Sequence, residues 1–287
     1  MKSLIRALVI VLALGSAAAQ GARYFPQFAD GVLGEIRYQT TIKFINTGVD
    51  AEIVVEFFDD AGEPLNVNAE ALGGTGASFR VSLKQGQVVS SITPGEGPLV
   101  SGYVRLLAPE SVTGTVIYTG TDFQSNTALF EAGVPATYLR RDVTVLLDSL
   151  GDRNSGLALV VSPSLATGES SSTIHATLFD QQGQPLASQD MELEAGQKVA
   201  KFIHELFAGD PEAVEKALEM EGSLSIVSEN LPVAAVSLRQ LVSTDSFPVS
   251  VPVVTTFPVA PRVVDSVRDV TERVLVFAPH PDDEALG

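Results

Sequence analysis

The residues best equipped for chemistry stand together near the C-terminal end of the sequence. His280-Pro281-Asp282-Asp283-Glu284 sets one imidazole and three carboxylates within five positions. A neutral imidazole combined with carboxylates is a hard-to-borderline donor set that suits zinc. The residues on either side read as a holder for such a loop. Val274 to Ala278 is an unbroken apolar run, as in a buried strand. Pro279 and Pro281 end that strand and keep the loop extended. Glu284-Ala285-Leu286 reads as the start of a helix. A strand that runs into a polar loop and then a helix is where open α/β sheets place their ligands.

The segment from Arg273 to Gly287 resembles the opening strand and loop of the PIG-L/LmbE-type N-acetylglucosaminyl deacetylases. The likeness is carried by His280-Pro281-Asp282-Asp283-Glu284 and the Ala278-Pro279 step before it, about 15 of the 287 residues. It implies that His280 and Asp283 are zinc ligands and that Asp282 is the general base. Zinc lowers the pKa of its bound water to about 7, and an adjacent carboxylate can take the proton. The substrate implied is an N-acetyl amino sugar. Glu284 has two readings, orienting a ligand or placing charge at a helix start. The resemblance also implies a third ligand, a histidine farther downstream. The sequence ends at Gly287, and its other histidines, His175 and His204, lie in unrelated repeats. The expectation is therefore a catalytically incomplete chain, with residues 273–287 as the first strand of a truncated α/β, Rossmann-like domain.

Composition bounds the rest. The chain has 287 residues, enough for about two domains. It carries 18 Lys and Arg against 35 Asp and Glu, a net charge of −17. Such a surface repels phosphate backbones, which sets nucleic-acid binding aside. There is no cysteine, hence no disulfide, thiolate chemistry or lipid-anchored cysteine. Lys2 and Arg6 precede an apolar core from Ala7 to Leu14, too short to span a bilayer. Ala17-Ala18-Ala19 supplies small residues at a cleavage site. Residues 1–19 thus read as a signal peptide, with secreted, periplasmic or cell-surface localisation and no membrane span after cleavage. An uncleaved anchor is the alternative.

The elements between these ends alternate apolar and polar residues and are punctuated by turns. Tyr38 to Ile45 and Ala51 to Phe58 read as strands, followed by a hairpin turn at Asp59-Asp-Ala-Gly-Glu-Pro64. The residues flanking Gly86 read as a strand pair, and Gly102 to Leu107 and Val112 to Tyr118 as two further strands. The second half then repeats the first. Phe58-Asp59-Asp-Ala-Gly62-Glu-Pro64-Leu65 matches Phe179-Asp180-Gln-Gln-Gly183-Gln-Pro185-Leu186, and Leu83-Lys-Gln-Gly86-Gln87 matches Leu193-Glu-Ala-Gly196-Gln197. Gly102 to Leu106 matches Gly222 to Ile226. Blocks repeated in one order indicate two copies of one unit. The fold class expected is all-β: a β-sandwich over 20–138, a second over 139–257 and a linker over 258–272. The second copy carries an insertion, a helical turn near Phe202 to Phe207 and a helix capped by Asp210 with Pro211 at its first position.

Other chemistry-bearing residues have plain readings. His175 lies on an alternating strand opposite Ile174, Ala176 and Leu178, and is expected to face solvent. His204 beside Glu205 reads as a surface or capping residue. Asp59, Asp60 and Asp180 sit in turns, where Asp bonds its own backbone; calcium is the alternative. Arg140-Arg141-Asp142 reads as a solvated joint, and Ser155-Gly156 and Ser170-Ser171-Ser172 as loops. The two functions expected are the exported accessory region of a zinc deacetylase, with a surface glycan or amino-sugar partner, and a non-catalytic secreted binding module.

Overall fold

The computed structural model describes residues 21–163, 168–241, 254–257 and 259–261. The described part is all-β with two short helices. In the N-terminal half the strands are β1 (Gly21–Leu33), β2 (Ile36–Asn46), β3 (Ala51–Asp59), β4 (Val67–Ala69), β5 (Gly74–Gly76), β6 (Ser78–Leu83), β7 (Val88–Ile92), β8 (Val100–Ala108), β9 (Val112–Asp122) and β10 (Ala128–Pro135). In the C-terminal half they are β11 (Asp142–Asp148), β12 (Arg153–Val161), β13 (Ser171–Asp180), β14 (Pro185–Glu194), β15 (Lys198–Phe202), β16 (Glu221–Ser228), β17 (Val233–Leu241), β18 (Val254–Phe257) and β19 (Val259–Pro261). Helices α1 (Ile203–Leu206) and α2 (Pro211–Leu218) lie between β15 and β16.

Strand order repeats between the halves. β6-β3-β8-β1 in the first corresponds to β14-β13-β16-β11 in the second. β7-β2-β9-β10 corresponds to β15-β12-β17-β18. The register repeats as well, with Asp59 opposite Gly102 and Asp180 opposite Gly222. Both glycines are required, because a Cβ at Gly102 would meet the Phe58 carbonyl and one at Gly222 the Phe179 carbonyl. The turns match atom for atom. Asp59 Oδ1 accepts the Ala61 and Glu63 amides, and Asp180 Oδ1 accepts those of Gln182 and Gln184. Gly62 and Gly183 follow with φ of 85° and 74°, a region that glycine enters without a Cβ penalty. These aspartates thus serve their own turns.

Each half has its own core. Phe25, Phe28, Phe44, Ile53, Val55, Phe57 and Leu106 anchor the first. Val145, Leu157, Leu159, Ile174, Leu178 and Ile226 anchor the second. The Asp210 carboxylate accepts the Glu212 and Ala213 amides and so caps α2, with Pro211 in the first turn. Ile203, Leu206, Phe207, Ala213 and Ala217 from the helical insertion join the second core.

Several local expectations are corrected. β6 and β7 flank Gly86 but do not pair; β6 joins β3 and β7 joins β2, so the chain crosses from one group of strands to the other. Ser155 lies inside β12, where its hydroxyl accepts the Asp148 amide at 2.8 Å and its amide donates to Ser149 Oγ at 3.1 Å. Ser171 and Ser172 open β13, and the buried Ser172 Oγ accepts the Asn230 and Leu231 amides. Part of the expected linker is strand, since β19 pairs with β11. These hydroxyls satisfy backbone donors at strand ends, which a reading of serine clusters as loops overlooks.

The halves are joined through a dry face. In β12 and β17, Leu157, Leu159, Val161, Val233 and Ala235 turn to the second core. Their neighbours Ala158 and Val236 pack into the first core, and Val160 and Ala234 pack on Tyr24 and Tyr103. These two strands are thus buried on both sides, unlike strands with one wet face.

Candidate functional site

His280, Asp282, Asp283 and Glu284 lie outside the described residues, as do the expected strand before them and the expected signal peptide. Among the described residues, no group of three or more His, Asp or Glu side chains is arranged to hold a metal.

Two polar constellations lie within the described part. The first is on β13. His175 projects from the outer face, as its alternation requires, and its side chain is partly exposed. Its Nδ1 is 2.7 Å from Asp190 Oδ1 on β14, and its Nε2 is 3.1 Å from a Glu229 carboxylate oxygen. Both ring nitrogens donate only in the imidazolium form. Hydrogen bonds to Asp190 and then Glu229 accordingly raise the His175 pKa above its ordinary value. Its position was legible from alternation, but its two carboxylate partners were not. They come from residues 15 and 54 positions away.

The second is the junction between the halves. The Lys198 side chain is almost wholly buried at the start of β15, and its Nζ lies 2.9 Å from Asp60 Oδ1 in the first half's turn. The Lys198 amide donates to the Asp60 carbonyl at 2.9 Å. Burial lowers the Lys198 pKa, with the Asp60 charge opposing the shift. Asp60 Oδ2 also accepts from the Ser101 hydroxyl. Beside this pair, Phe58 stacks on Tyr103 at a centroid distance of 5.0 Å, and Arg105 lies over the Phe58 ring and bonds Glu56 at 2.7 Å.

A cleft of about 200 Å3 opens along the same junction. From the first half it receives Gln27, at an irregularity in β1 where pairing with β8 shifts between Phe25 and Phe28. From the second it receives the outer faces of β12, β15 and β17, through Ala200, Lys201, Phe202, Leu238 and Gln240. The Phe202 ring is stacked on His204 with centroids 5.7 Å apart and planes 12° apart. The half-buried His204 therefore props an aromatic wall. The N-terminus of α1 is capped instead by the Glu205 carboxylate, which accepts the Phe202 amide at 2.8 Å. Interfaces between units are a common place for ligand clefts.

Arg140 and Arg141 are exposed, as expected of a joint, but they also tie it. Arg140 exchanges backbone bonds with Val233 at 2.8 Å, and Arg141 Nη2 donates to the Asn230 carbonyl at 2.7 Å. Sequence reasoning missed Gln27, Phe202 and Lys198. Only Lys198 left a signal, a lysine directly after the matched block where the first copy has Val88.

No family model, no curated protein and no solved structure matches the chain.

Proposed function

We propose that the chain is the exported N-terminal accessory region of a zinc-dependent deacetylase of the PIG-L/LmbE kind, acting on an N-acetyl amino sugar. The observation that carries this reading is the sequence Val274 to Glu284, an apolar strand run leading straight into His280-Pro281-Asp282-Asp283-Glu284. In this reading His280 and Asp283 would hold zinc, and Asp282 would serve as the general base. Bound zinc would supply a Lewis acid for the amide carbonyl and a water of lowered pKa. The repeated strand groups are two tandem β-sandwich units that carry this catalytic region on a cell surface or in the periplasm. Lys2, Arg6 and the Ala7–Leu14 core serve as the export signal.

The test begins with the gene. Sequencing the reading frame through the Gly287 codon should show it continuing into an α/β region with a further histidine ligand. The protein expressed from that frame should bind zinc stoichiometrically by metal analysis, and His280→Ala or Asp283→Ala should abolish retention. Undiminished zinc in His280→Ala would overturn the ligand assignment.

A second reading has one observation in its favour. The two halves are locked by a two-sided apolar face and by the Lys198–Asp60 bridge, which suits a rigid, non-catalytic binding module or spacer. A stop codon after Gly287, with the protein still adhering to envelope glycans, would favour it over the first.

A further inference from the structure

Each half carries two matched turns, and the junction uses one from each half. The first kind follows β3 or β13, at Gly62 or Gly183. The second lies between β6 and β7 or between β14 and β15, at Gly86 or Gly196, with φ of 75° and 84°. Its two copies are built alike: the Lys84 amide donates to Gln87 Oε1 and the Glu194 amide to Gln197 Oε1, both at 2.9 Å. At the junction the Gly196 turn of the second half packs on the Gly62 turn of the first, and the Lys198 amide donates to the Asp60 carbonyl. Two turns are left unused, Gly86 in the first half and Gly183 in the second. A Cβ on either meets nothing within 4 Å.

The surfaces around the unused turns are complementary. A recess of about 510 Å3 beside Gly183 is lined by Leu146, Asp180, Gln181, Glu221 and Ser223. By the repeated register, Gln181, Glu221 and Ser223 stand where the first half has Asp60, Ser101 and Tyr103. Leu146 is 52% exposed there, and Val88 and Ile92, on the strand that leaves the Gly86 turn, are each 56% exposed. Val88 and Gln181 occupy the places that Lys198 and Asp60 hold at the junction. Both charges are absent together, so the same contact made between copies strands no buried lysine. The remaining charges have opposite signs. Exposed Lys84 and Lys43 flank the Gly86 turn, with Asp50 engaged by the Gln85 amide. Asp180 and Glu221 ring the recess.

We propose that copies of this chain associate head to tail, with the Gly86 turn and β7 of one copy seated in the Gly183 recess of the next. Val88 then meets Gln181 and Leu146, and Lys84 faces Asp180 and Glu221. Such a contact is heterologous: a pair still presents one free turn and one free recess, so association continues past the dimer. Thr113 and Thr115 stand where the junction has Ala234 and Val236. The contact between copies is therefore wetter and weaker than the internal one, and reversible. It needs no residue of the C-terminal motif, so the deacetylase reading can fail without it.

The experiment is sedimentation velocity with light scattering on the full chain, from about 1 μM to about 1 mM. The weight-average mass should climb from 30.2 kDa past twice that value without a plateau. Val88→Glu on β7, or Leu146→Glu in the recess, puts an unpaired carboxylate into the contact, and each should raise the concentration needed for association more than about tenfold. Both positions are exposed, so circular dichroism and the thermal midpoint should be unchanged. Lys84→Glu, on the exposed turn, is a second variant of the same surface as Val88 and should act alike. The decisive sample is an equimolar mixture of Val88→Glu and Leu146→Glu. Each retains the surface that the other has lost, so the mixture should form dimers and stop there. A constant 30.2 kDa at every concentration, a plateau at the dimer in the unaltered chain, undiminished association in the variants, or a mixture that stays monomeric or grows beyond the dimer would each overturn the proposal.

Discussion

Lys198 Nζ lies 2.9 Å from Asp60 Oδ1, joining two segments 138 positions apart across the junction of the halves. The two partners are unequal. The lysine side chain is 1% exposed and the aspartate 53%. Removing the aspartate strands a buried ammonium, whereas removing the lysine leaves a carboxylate that water can reach. We therefore expect Asp60→Asn to destabilise the chain by about 2–3 kcal/mol, below the full cost for a wholly buried pair because water can partly replace Asp60. Lys198→Met should lie within about 1 kcal/mol of the unaltered chain. Urea unfolding of both variants measures the asymmetry, and equal losses would contradict it.

The same lysine sets a pH dependence. Burial lowers its pKa below the ordinary 10.5, so the unfolded chain binds the extra proton between the folded and unfolded values. Stability from this group therefore rises with pH through that alkaline window. The slope of unfolding free energy against pH should be more positive in the unaltered chain than in Lys198→Met. Identical slopes would show that the lysine stays as easily protonated as in water.

His175 titrates in the opposite sense. Its pKa is raised above 6.5 by Asp190 and then Glu229, so its contribution is full below 6.5 and fades as pH rises through the folded value. The Glu229 pKa is lowered below 4.5, chiefly by His175 and then Thr173, so its contribution is present above 4.5 and is lost as pH falls through the folded value. Both contributions are complete between these limits. NMR titration of the imidazole should give a midpoint above 6.5, moving down in Asp190→Asn. A midpoint at or below 6.5 would mean that the bridge does not persist in solution.

The repeats provide an internal control for the junction. Gly62 and Gly183 occupy equivalent turns at positive φ. A Cβ on Gly183 meets nothing within 4 Å, whereas one on Gly62 would lie 2.6 Å from the Gly196 carbonyl oxygen. Gly183→Ala should therefore cost only the backbone strain, about 1–2 kcal/mol. Gly62→Ala should cost clearly more, because the turn between β14 and β15 at Gly196 must also move. Thermal melts of the two variants give the comparison directly, and equal shifts would mean that the Gly62 and Gly196 turns separate freely.

These relations mark where the sequence was legible. The blocks Phe58–Pro64 and Phe179–Pro185 announced themselves because an Asp that bonds its own turn and a glycine at positive φ are local chemistry. The Asp210 cap and Pro211 were legible for the same reason. Gln27, Phe202 and the partners of His175 were not, because contacts across strands and halves leave no local spacing. Ser155 and Ser172 misled, since a hydroxyl that satisfies a backbone amide inside a sheet looks like one in a loop. For the C-terminal motif the residue types carry the whole reading, since His280, Asp282 and Asp283 lie outside the described residues.

The deepest consequence of the junction is cooperativity. Ala158 and Val236 are wholly buried in the first half's core although they belong to strands of the second. Val160 and Ala234 do the same against Tyr24 and Tyr103. Separating the halves would expose this strip together with the Lys198 ammonium, so neither half has a stable surface without the other. We expect one thermal transition for both halves, with calorimetric and van't Hoff enthalpies in agreement. Ala158→Asp buries an unpaired carboxylate in that strip and should lower stability by about 3 kcal/mol or more while unfolding stays concerted. Two resolved transitions in the unaltered chain would show that the halves fold independently and that the shared strip contributes little to either.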